Sequence, residues 1–179
     1  MVYKEETVSS QTVFEGRIVT VKVDKVEMPG GNLAERELVL HPGGVGVVAV
    51  TEDHKVILVK QYRKPLDKAI YEIPAGKLDK GEEPLACAKR ELSEETGLEA
   101  ETFTYLGFIY PSPGFTDEVT HMYLATGLSQ GATHPDEDEY LDVEEVSFVQ
   151  VLAMIEKNEI NDAKTVCGIL KGANLLKQE

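Results

Sequence analysis

A chain of 179 residues has the length of one domain with room for a small additional sheet, and 42% hydrophobic with 28% charged content excludes wholesale disorder. A formal net charge of −14 repels backbone and headgroup phosphates, which sets aside nucleic acid and anionic membrane as partners. A phosphate compound could still bind if a divalent cation lay between it and the carboxylates, a part that Mg²⁺ commonly plays.

The amino terminus, MVYKEETVSSQTVFEG, has neither the basic start nor the apolar run of a signal peptide, and no apolar run is long enough to cross a bilayer. Cys87 and Cys167, the two cysteines, are too few for a disulfide framework and not spaced as a metal pair, so they read as small hydrophobes in a reducing cytoplasm. FEGRIVTVKVDKVEMPGGNLAERELVLHPGG gives two extended runs joined by the turn Pro29-Gly30-Gly31-Asn32 and closed by Pro42-Gly43-Gly44. An amino-terminal antiparallel sheet over residues 1–44 is therefore expected, ahead of a second domain over 45–179. VGVVAVTEDHKVILVKQYRKP reads as two strands about the turn Glu52-Asp53-His54-Lys55, the first apolar enough to be buried on both faces. AIYEIPAG is a further short strand. A helix follows from Pro84, suited to a first helical turn, to Gly97, a C-cap.

Strands TFTYLGFIY and EVTHMYLATGL flank the loop PSPGFTDE, and the acidic loop THPDEDEY precedes a strand near LDVEEVSF. VQVLAMIEKNEI has helical spacing at Val151, Met154 and Ile155, and NDAKTVCGILKGANLL offers Asn161 or Asp162 as a cap before an amphipathic run. The pattern predicts an α/β or α+β fold with a mixed sheet.

The helix from Pro84 carries the chemistry. At 100° per residue, Glu94 lies about 60° to one side of Glu91 and Glu95 about 40° to the other, so three carboxylates share a face. Leu85, Ala88 and Leu92 fall on the neighbouring stripe, which should bury the helix against the sheet. Like charges so close repel unless cations neutralise them, and Arg90, four positions before Glu94, braces it. A solvated acidic face is the plain alternative.

Gly76, five residues, Glu82, seven residues, then Arg90-Glu91-Leu92-Ser93-Glu94-Glu95-Thr96-Gly97-Leu98 resembles the Nudix box at every defined position. The resemblance implies a Nudix-type α/β/α sandwich with a mixed sheet and a hydrolase that uses Mg²⁺ or Mn²⁺. It makes Glu91, Glu95 and the Ala75 carbonyl metal ligands, with Glu94 a ligand or its close neighbour, and puts Glu94 and Arg90 in the catalytic set. Pro113 in SPGFTDE, sixteen positions after Gly97, is similar to the marker of the ADP-ribose pyrophosphatase branch, whose bacterial members are homodimers with an exchanged amino-terminal sheet. That branch implies hydrolysis of ADP-ribose to AMP and ribose 5-phosphate, with Arg63 and Arg36 on the nucleotide; a surface salt bridge is the alternative for each arginine. In DEDEYLDVEE the resemblance implies Glu137 as general base and Glu139 as an added metal ligand, on one side if the segment is extended, with a solvated charge run as the plain alternative. The rival readings are a Nudix hydrolase of other nucleotide sugars or oxidised nucleotides, and a non-catalytic ADP-ribose sensor.

Overall fold

The computed structural model describes residues 3–131 and 141–176, in two compact units, Met1–Gly43 with Tyr110–Val119, and Gly44–Ile109 with Thr120–Glu179. Among the described residues, no helix is long and apolar enough to cross a membrane.

The first unit is a three-stranded antiparallel sheet of β1 (Glu6–Glu15), β2 (Thr20–Glu27) and β3 (Leu33–Leu40), in that order. The expected pair is thus three. Polar ETVSSQTVFE lacks the alternation that marks a half-buried strand, and in the structure β1 is exposed along its whole length. The loop before Thr120 joins this unit, not the one its flanking strands belong to. Val39 N–H donates to Phe115 O at 2.8 Å, and His41 N–H to Asp117 Oδ1 at 2.9 Å.

The second unit has two sheets. One, in the order β7 (Ala75–Lys77), β4 (Gly44–Ala49), β9 (Thr120–Gln130), β8 (Leu98–Ile109), is mixed, because β4 and β9 run parallel. The other is antiparallel, with β10 (Leu141–Ser147), β5 (Lys55–Arg63) and β6 (Lys68–Glu72) in that order. The two strands expected to flank the turn at Glu52 therefore lie in different sheets, linked by an isolated bridge between Val50 and Val56. Local sequence favours a hairpin there, but β4 takes β9 as its partner instead.

β4 is buried on both faces, as its run of apolar residues requires. Val45, Val47 and Ala49 pack with Cys87, Ala88 and Leu92 of α1 (Pro84–Thr96), while Val48 and Val50 pack with Val151 of α2 (Phe148–Glu156) and Ile169 of α3 (Ala163–Leu176). Helices thus cover opposite faces, the expected α/β/α sandwich, and each buried valine contributes about 1.5–3 kcal/mol. α3 sits tight on its face. A Cβ at Gly168 would come within 2.7 Å of Met122 Cε and 3.0 Å of Val48 Cγ2.

Candidate active site

α1 begins at Pro84 and ends on Gly97, whose φ of 68° is the left-handed cap conformation that glycine adopts freely and whose N–H donates to Ser93 O at 2.8 Å. Cys87, Ala88 and Leu92 are fully buried. Leu85, expected on that stripe, is instead 41% exposed, and Cys87, in the same first turn, takes the buried place.

The carboxylates gather around one cation. Arg90 Nε and Nη2 donate to Glu82 Oε1 and Oε2, each at 3.0 Å, and Nη1 donates at 2.8 Å to both Glu91 Oε1 and Glu94 Oε2. Arg90 therefore braces Glu94, and it braces Glu82 and Glu91 as well. Its hydrogen bonds hold the Glu82 carboxyl down to about 2, and the same partners push the Arg90 guanidinium further up.

Glu91 and Glu95 are buried despite their charge, at 8% and 7% exposure. Two hydrogen bonds make this tolerable. Ala75 N–H donates to Glu95 Oε2 at 2.9 Å, and Arg90 Nη1 to Glu91 Oε1 at 2.8 Å. Gly76 lies so close to Glu91 that an added Cβ would overlap its carboxylate. Gly76 is thus a glycine because the carboxylate occupies the space of a side chain. The hydrogen bond seen at Ala75 runs through its N–H, whereas the resemblance implies a role for its carbonyl.

As they stand, no three His, Cys, Asp or Glu side chains among the described residues form a metal-holding group. Arg90 occupies oxygens of Glu91 and Glu94. The donor set is nonetheless the hard, oxygen-only kind that suits Mg²⁺ or Mn²⁺, in a backbone cradle that a Cβ would fill, so the residues fit such an ion. Glu137 and Glu139 lie outside the described residues.

The two arginines are both in ion pairs. Arg36, in the first unit, donates to both oxygens of Glu5, from Nε at 2.9 Å and Nη2 at 2.7 Å. Arg63 grips Glu72, with Nε to Oε1 at 2.5 Å and Nη2 to Oε2 at 2.8 Å. Glu72, 1% exposed, also accepts from Lys164 Nζ, which reaches Asp162 Oδ2 at 3.0 Å. Asp162 caps α3, accepting from Thr165 N at 3.0 Å and Thr165 Oγ1 at 2.7 Å, while Ile73 N–H donates to Thr165 Oγ1 at 2.9 Å. Burial pushes the Glu72 carboxyl up, but Arg63 and Lys164 outweigh it and hold it below the usual range. The Glu72 bonds hold the Arg63 guanidinium up, and the charges of Glu72, Glu95 and Asp162 add to this.

Sequence reasoning missed this network. Its one visible signal was a lone carboxylate in an apolar strand, Glu72 in AIYEIPAG, since buried Glu is rare without a partner.

A NUDIX domain profile matches residues 40–167, and a nucleoside diphosphate sugar hydrolase N-terminal domain profile matches residues 5–39. The chain is 47% identical to a protein described as methanol dehydrogenase activator from Bacillus methanolicus, over 93% of this chain and 91% of that protein. It is also 47% identical, over the same shares, to an ADP-ribose pyrophosphatase from Bacillus subtilis (strain 168). A crystal structure described as an ADP compounds hydrolase matches with a TM-score of 0.88 over 98% of this chain and 95% of that one; at 24% identity this shows the fold.

Proposed function

The chain belongs to the NUDIX family, and from that premise we propose that it is an ADP-ribose pyrophosphatase: a metal-dependent hydrolase that splits the diphosphate of ADP-ribose. Water oxygen adds to one phosphorus, the bridging P–O bond breaks, and AMP and ribose 5-phosphate leave. The observation that carries the reading is the pair of buried carboxylates, Glu91 and Glu95, set against Ala75 and Gly76 on a helix whose third carboxylate, Glu94, is tied to Arg90.

Family members generally use a divalent metal, and Mg²⁺ or Mn²⁺ is the ion proposed here. Glu91, Glu95 and the Ala75 carbonyl would hold it, with Glu139 adding a ligand. When bound, it supplies Lewis-acid neutralisation of the diphosphate oxygens. The chain's own groups do the rest. Arg90 keeps Glu91 and Glu94 oriented through its hydrogen bonds, Glu137 takes the proton of the attacking water, and Arg63 receives the nucleotide phosphates in its planar fork. Arg36 contacts the nucleotide from an amino-terminal sheet exchanged within a homodimer in the cytoplasm. Exposed Val8, Val13, Phe14 and Leu33 on that sheet support the dimer, since apolar side chains gain from cover. A monomer at micromolar concentration by light scattering would contradict it.

Hydrolysis of ADP-ribose in ¹⁸O-labelled water, with mass analysis of both products, tests the reaction and the phosphorus attacked together. Faster cleavage of nucleoside triphosphates or of other nucleotide sugars would overturn the substrate assignment. The equal identity to the Bacillus methanolicus protein favours a second reading of the same fold, action on a partner dehydrogenase. That reading predicts a faster methanol dehydrogenase on addition of this chain.

A further inference from the structure

We propose that Lys164 is a positioning residue that frees Arg63 for the substrate: it keeps Glu72 neutralised while Arg63 swings from Glu72 to the diphosphate. The inference rests on the reading above in which Arg63 binds that diphosphate. Arg63 spends its Nε and Nη2 donors on Glu72, one of the two edges of its guanidinium. To turn that edge to a phosphate, it must let go. A carboxylate at 1% exposure left without a cation is strongly unfavourable, so Arg63 alone on Glu72 would be pinned.

Lys164 removes that obstacle. Its Nζ reaches Glu72 Oε2, the same oxygen that Arg63 Nη2 uses, from the opposite element, α3. It is 17% exposed and held at the helix start by Asp162, whereas Arg63 is 39% exposed and therefore the partner with a path to solvent. Apparent affinity scales with the fraction of chains in the binding-competent state, so Lys164 acts by raising the fraction with Arg63 released.

The test is steady-state hydrolysis of ADP-ribose by full-length variants, with thermal unfolding to verify that each is folded. Lys164→Gln should raise KM about tenfold and leave kcat within about twofold, the pattern of lost binding rather than lost chemistry. Lys164→Arg should restore KM. In an Arg63→Ala background, Lys164→Gln should change KM no further, because the residue it acts through is gone. Asp162→Asn keeps the helix cap and removes the competing charge on Lys164, so KM should fall below wild type, and this variant decides the matter should Lys164→Gln not fold. A wild-type KM in Lys164→Gln, or an equal rise with and without Arg63, overturns the proposal. If Arg63→Ala itself leaves KM unchanged, the role of Arg63 on the substrate falls, and the inference falls with it.

Discussion

The two charged clusters of the catalytic unit are built on different ratios. At the box, one cation, Arg90, is shared among three carboxylates, Glu82, Glu91 and Glu94. In the other, two cations, Arg63 and Lys164, are matched by two carboxylates, Glu72 and Asp162, and Glu72 is touched by both cations. The first is short of positive charge at a site where a divalent ion can supply it. The second is balanced, and its buried carboxylate keeps one cation if the other turns away. Like-charge crowding is thus the mark of a place awaiting a cation, and matched charge the mark of a network that holds together without one.

The comparison breaks most visibly at Glu95. Glu95→Gln should lower ADP-ribose hydrolysis by on the order of 10³-fold, the upper end for losing one preorganised electrostatic contact, and weaken Mg²⁺ binding measured by titration calorimetry. Unchanged metal affinity would remove Glu95 from the ligand set. Gly76→Ala sharpens the same point through backbone. A methyl there overlaps the Glu91 carboxylate, so activity should fall about 10²-fold by displacing it, with a stability loss of roughly 1–3 kcal/mol in denaturant unfolding. Wild-type kinetics would show that Glu91 need not sit where it does.

A smaller effect comes from acid. Because Arg90 holds the Glu82 carboxyl at about 2 against its ordinary 4.5, the ion pair stabilises the fold fully above pH 4.5 and is lost as pH falls towards 2. The melting temperature should drop across that window, and Glu82→Gln should flatten the drop. An unaltered acid profile would mean that Arg90 serves Glu91 and Glu94 alone. The least effect is expected on the buried side of the same helix. Burial pushes the Cys87 thiol up to about 12, so Ellman's reagent at pH 8 should leave Cys87 unlabelled in the folded chain, and rapid labelling would show that α1 opens.

What was legible in the sequence was local. Pro84 and Gly97 bound α1 because each sets its own backbone angle, and the glutamates of the box share a face by helical geometry alone. Asp162 capped its helix for the same reason. Pairings across long stretches of chain were not legible: β4 joins β9 rather than β5, and Glu72 meets Lys164 across 92 positions. β1 escaped because its strand is held by hydrogen bonds to β2 and not by a buried face. The Arg63–Glu72 pair was equally hidden, since nothing in VKQYRKP names the carboxylate that Arg63 meets.

The closeness of α3 to its sheet has a consequence over generations of descendants. With Gly168 pressed towards Met122 and Val48, a side chain at position 168 requires Met122 to shift or to give up volume opposite it, so the two loci drift as a pair. A lineage that shortens Met122 first opens the door to alanine at 168, and one that tries the reverse order must pass through an overfilled intermediate.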